Sequence, residues 1–220
     1  MGITLTTSLQ PGEEARAETV LRYYFLSGNF TGGRWDTFDP SGTRAASANT
    51  FTADDLVACA LLATPIEEDG VVALLQDQRA TFDELLAAIG PDRDFISMDS
   101  TDGVDYAPVR ALYQALVGVR DIGQTKATKL LARKRPRLVP IVDRRIQYVV
   151  FNGAKYQWEV LHQALRADDR ALWNRLVELH KAAGLSEHVS ILRVFDVLAW
   201  MDGSRNSEYA LQTHMPPAIT

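Results

Sequence analysis

Apolar residues recur at helical spacing through most of this chain, and helix start and stop signals fall between the periodic stretches. Pro11 with Glu13, Glu14 and Glu18 opens a helix through Tyr23, Tyr24 and Phe25, because proline and carboxylates both suit a first turn. Thr52 and Asp55 have the spacing of a capping box in front of Leu56, Val57, Ala60 and Leu61, and Pro65 closes that helix. Further helices are predicted at about 70–78 and 81–89, the second stopped by Gly90 and Pro91, and then over 106–118 and 124–133. Past Pro140, Asp143 is placed to cap a helix through Ile146, Tyr148 and Val149, and stretches 158–165, 171–182 and 187–200 supply three more. Only 138–142 looks at all like a strand.

The pattern therefore predicts an all-α fold: a single compact multi-helix domain over residues 1–202, with a loose start at 1–10 and a flexible tail from 203 to 220. Residues 29–49 interrupt the periodicity with glycine and proline among Ser, Thr and Asp. They read as a long loop anchored by Phe30, Trp35 and Phe38.

Composition narrows the class. Apolar residues make up 46% of the chain and charged residues 23%, an ordinary globular mixture with enough apolar surface for a core. No run approaches a membrane span, and the first ten residues lack the charge-then-apolar order of a secretion signal, so a cytoplasmic protein without membrane association is expected. The one cysteine, Cys59, sits in an apolar run and reads as a small core residue; it excludes disulfides within the chain and cysteine-held clusters. His162, His180, His188 and His214 lack the spacing of a metal site, and no nucleotide-cradling glycine loop occurs, so neither metal nor cofactor is expected.

The net charge of −5 hides an uneven distribution. Between Lys126 and Arg145, eight basic residues face one acid, a local +7 that leaves −12 on the rest. A concentrated basic strip on an acidic body offers one face to phosphates. Just before it, residues 108–133 have the form of a helix-hairpin-helix: two short helices joined at Val119-Arg120-Asp121-Ile122-Gly123. Such a turn points main-chain amides outward at the start of the second helix, where the helix dipole also favours anions. Ile122 is the apolar plug, Gly123 the residue expected to take unusual backbone angles, and Lys126, Lys129 and Arg133 the cations expected to follow a phosphate strand.

Ile122-Gly123-Gln124-Thr125-Lys126-Ala127, an apolar helix, and then Val139-Pro140-Ile141-Val142-Asp143 resemble the helix-hairpin-helix DNA glycosylases over about 40 residues. The resemblance implies double-stranded DNA as partner, residues 122–126 on its backbone, and Asp143 as the aspartate that stabilises the sugar cation when a base leaves. Thr125 stands where some members carry a lysine nucleophile, which implies monofunctional hydrolysis with water as nucleophile. Asp121 replaces the turn's usual first glycine, and Arg144-Arg145 replaces a Thr-His-like pair. Trp35, Phe38, Tyr23 or Tyr24 would line the base pocket. The run from Lys129 to Pro140 also resembles uncharacterised actinobacterial proteins. Two other readings of the same residues stand beside this: a hairpin that binds DNA without chemistry, and a helix-packing device whose basic strip meets acidic groups of a partner protein or of the chain itself.

Overall fold

The structure, a computed structural model, describes residues 2–155 and 157–214, apart from the side chains of Val104 and His214. Among these residues ten α-helices and several short 3-10 turns form, and no strand. The chain divides into two compact units, one made of residues 34–142 and the other of both ends, 1–33 and 143–220.

In the middle unit, α2 (Ala53–Leu61) follows the long loop, which contains a 3-10 turn and tight turns. The capping box forms as read: the Thr52 amide donates to Asp55 Oδ2 at 2.9 Å. Next come α3 (Glu68–Val72), a π-helical turn over Ala73–Asp77, and α4 (Arg79–Ile89), which stops where Gly90 adopts a φ of 77°. Then α5 (Ala107–Val117), with Pro108 in its first turn, packs on both α4 and α6 (Gln124–Lys134), and α6 also packs on α2. Trp35, Ala58, Ala132 and Ile141 form a buried cluster with Phe38, Leu61 and Leu62 around it. The strand-like residues 138–142 form no strand: the amides of Leu138 and Val139 turn back to the Arg135 carbonyl, and the Val142 amide donates to Thr128 Oγ1 of α6 at 3.2 Å.

The other unit is organised by α9 (Ile191–Gly203), whose residues 192–199 are all buried, as expected for a helix apolar nearly all round. Around it lie α1 (Glu14–Leu26), α7 (Arg144–Val149), α8 (Gln157–Ala182) and α10 (Asn206–His214). The first ten residues are better held than the polar sequence suggests: Thr7–Leu9 form a 3-10 turn, and Ser8 donates from its amide and its hydroxyl to Asp202 at 2.7 and 2.8 Å. Likewise, 206–214 of the expected tail is helical, with Ser207 and Ala210 buried; residues 215–220 lie outside the described residues.

Cys59 is fully buried, and desolvation pushes its thiol from 9.0 up to about 12. Because the folded state holds this proton more tightly, the associated stability is present below pH 9 and is lost as the pH rises toward 12. Iodoacetamide at pH 9 should therefore leave the native protein unlabelled and modify it once urea unfolds it, as followed by intact mass; ready labelling of the native state would contradict this burial.

Candidate nucleic-acid interface

The turn between α5 and α6 is built by short-range hydrogen bonds. The amides of Gly118, Val119 and Ile122 donate to the carbonyls of Gln114, Leu116 and Val119. The left-handed backbone angle expected at Gly123 falls instead at Asp121, with a φ of 67°; aspartate is one of the few side chains that tolerates it. Gly123 is extended (φ −83°, ψ 179°) and caps α6. Ile122 is buried and seats on α3 at Gly70, where an added Cβ would lie 3.3 Å from Ile122 and 2.7 Å from Ile66. Ile122 is thus the plug of the turn and not a contact surface.

At the start of α6, the amides of Gly123, Gln124 and Thr125 have no acceptor among the described residues, and no side chain caps the helix. Gly123 is exposed, and a Cβ there would meet nothing within 4 Å. Gln124 and Thr125 are half-buried. The surrounding charges are mixed: Lys126 pairs with Glu67 and Arg120 with Asp69, each at 3.4 Å. Such surface pairs contribute only about 0–1 kcal/mol, so an anion can separate them.

The basic run behaves differently from the expected phosphate rail. Lys129 and Arg133 point inward, together with Lys134 and Arg135. The Lys129 ammonium donates to the Leu62 carbonyl at the end of α2 (3.0 Å). Arg133 donates to Asp55 at 3.2 Å, to the Trp35 carbonyl at 2.7 Å and to that of Phe38. Lys134 pairs with the other oxygen of Asp55 and donates to the Ser47 carbonyl. Arg135 holds the carbonyls of Leu86 and Gly90 at the end of α4, together with Ala48 and the Asn49 side chain. Burial pushes Lys134 and Arg135 below their ordinary ranges. Arg44, also lowered by burial and then by the Arg133 charge, donates to Asp36 and Arg133 carbonyls. These cations therefore clamp the long loop and two helix ends onto α6, where an unpaired carbonyl would be costly. Of the strip, Lys126, Arg137, Arg144 and Arg145 remain at least partly accessible, and Arg137 is paired with Asp94.

Asp143 caps α7, its Oδ1 accepting from the Ile146 amide at 2.8 Å, while Oδ2 has no hydrogen bond among the described residues. Of the aromatic residues expected at a base pocket, Trp35 and Phe38 belong to the middle unit, where Trp35 is buried over the Arg133 guanidinium. Tyr23 and Tyr24 belong to the other unit; Tyr24 stacks on Phe30 and holds Arg193 through its hydroxyl at 2.8 Å. Among the described residues no cluster of potential metal ligands occurs, and no helix is long and apolar enough to cross a membrane. Asp55 and Arg44 were missed as partners of the basic run; the capping-box spacing marked Asp55 only for its local role.

A family model described as a family of unknown function, DUF6308, matches residues 17–203. The chain belongs to the DUF6308 family. The match spans α1 to α9, and so takes in the hairpin, the clamps and Asp143. No curated protein and no solved structure matches the chain. In this DUF6308 protein four cations of the run from Lys129 to Pro140, namely Lys129, Arg133, Lys134 and Arg135, are held by internal hydrogen bonds.

Proposed function

We propose that this DUF6308 protein binds the sugar–phosphate backbone of double-stranded DNA with the turn between α5 and α6, as helix-hairpin-helix glycosylases do. The observation that carries the reading is the set of three amides at residues 123–125 without an acceptor among the described residues, at an exposed glycine whose added Cβ would meet nothing within 4 Å. Contact rests on these amides and on Lys126 and Arg120, in place of Lys129 and Arg133. Catalysis in this reading is hydrolytic. The bond between the sugar and a modified base breaks, water adds to the sugar carbon and the base leaves with a proton. Asp143, through its unengaged oxygen, stabilises the positive charge that develops on the sugar.

Anisotropy of a labelled duplex, titrated over a range of salt, tests the binding. With about two phosphates neutralised, log affinity should fall with log salt at a slope of about −2. Gly123→Val, whose Cβ would meet nothing within 4 Å, should weaken binding by about tenfold or more, because its side chain fills the space a backbone must enter. Equal binding by wild type and variant, or none at low salt, ends the proposal. For the chemistry, duplexes carrying assorted base lesions are incubated with protein and then hot alkali; strand breaks that survive Asp143→Asn remove Asp143 from the mechanism.

The inward course of the basic run favours a second reading, a hairpin that binds or packs without chemistry. It predicts duplex binding with no alkali-labile product, or no binding at all.

A further inference from the structure

The helix α8 is interrupted. Residues 157–166 and 171–182 are helical, but Ala167 is extended and Asp168, Asp169 and Arg170 have φ of 49°, 53° and 63°. Every other non-glycine residue of positive φ among those described, including Asp121, occurs singly. Left-handed backbone is sterically disfavoured for any residue with a Cβ, and three in succession accumulate the penalty. Aspartate tolerates the region as an isolated residue; arginine has no such preference.

The polar run 166–170 separates the two helical stretches read from the sequence, 158–165 and 171–182, but it holds no residue that favours left-handed backbone as strongly as glycine does. No glycine or proline occurs from Ala154 to Ala183. Leu161, Leu165, Leu172, Leu176 and Leu179 are all buried, and in an unbroken helix at about 100° per residue they would fall within an arc of about 60°. The apolar stripe keeps its phase straight through the bend. Residues 167–170 are exposed, and the bend is tied to the second stretch by the Asn174 side chain, which donates to the Asp169 carbonyl at 3.3 Å.

We propose that α8 straightens into one continuous helix and that two copies of the chain then exchange residues 171–214. In a single chain, straightening would pull α9 and α10 off α1, with which both pack, and expose their apolar faces. A second copy restores the same contacts between chains while the left-handed turn disappears from both. The partner is another copy of this protein, and the contacts that form are those already present within one unit.

Substitution at residues 168–170 biases the two states in opposite directions without touching the core. Alanine at all three favours the straight helix, and glycine at 168 and 169 removes the penalty of the bend. In light scattering coupled to gel filtration, the alanine variant should dimerise with an association constant at least about tenfold above wild type, and the glycine variant should stay monomeric. Isolated dimer should persist on dilution, because exchange requires unfolding half of the protein. An alanine variant as monomeric as the glycine variant overturns the proposal, and so does a dimer that dissociates as soon as it is diluted.

Discussion

Replacing Asp55 by alanine should destabilise the protein by about 3–5 kcal/mol, because it leaves two buried cations facing a lost carboxylate. Asp55 takes Arg133 on one oxygen and Lys134 on the other, and all three side chains are at most 2% exposed. Urea unfolding followed by circular dichroism measures the loss. Asp55 also accepts the Thr52 amide, and a lost cap alone costs about 0.5–2 kcal/mol. Asp55→Asn separates the two roles, since the amide oxygen still accepts the cap but carries no charge. The asparagine variant should retain most of the destabilisation. If it is as stable as wild type, Asp55 is a helix cap and the counter-ion role is wrong. Adding Lys134→Met to Asp55→Ala should recover part of the loss, as expected for residues that interact directly.

Arg135→Met is expected to have an effect of similar size, more than about 3 kcal/mol, through a different cause. The guanidinium meets no carboxylate; it satisfies the Leu86, Gly90 and Ala48 carbonyls and the Asn49 side chain. Methionine fills the volume but strands the buried Leu86 carbonyl and the half-buried Gly90 carbonyl, at about 1–3 kcal/mol for each buried group left without a donor, while the exposed Ala48 and Asn49 turn to water. Arg137, two residues on, is exposed and pairs with Asp94, so Arg137→Met should change stability by no more than about 1 kcal/mol. Similar unfolding midpoints for the two variants would mean that the position of a cation in this run does not matter.

Both experiments bear on what the sequence could disclose. The helices were legible because their information is local: the Thr52–Asp55 box, the Gly90 stop and the Asp143 cap each act within one turn. The helices α5 and α6 were legible for the same reason, whereas the seat of Ile122 on α3 was not. The direction of the cations was not. Lys129 and Arg133, four apart on α6, look the same in sequence whether they face solvent or core; the deciding partners, Leu62 and Asp55, lie 67 and 78 residues away. Charge counting treated the strip as surface, whereas burial with paired carbonyls turns the same residues into ties. The angle at Asp121 went to the wrong residue because glycine is the default for positive φ, and here an aspartate takes it.

The order of the two units along the chain has a consequence during synthesis. Residues 34–142 are continuous, so once they have left the ribosome every partner of the α6 clamps is available. Residues 1–33 emerge before the middle unit, yet α1 packs on α9 and α10, which emerge after it. Helix α1 therefore waits, its apolar face uncovered, until some 160 residues after it have been translated. Chaperone dependence should be concentrated in that interval, and a nascent chain stalled with residue 142 just clear of the ribosome should carry a protease-resistant middle and a cleavable beginning.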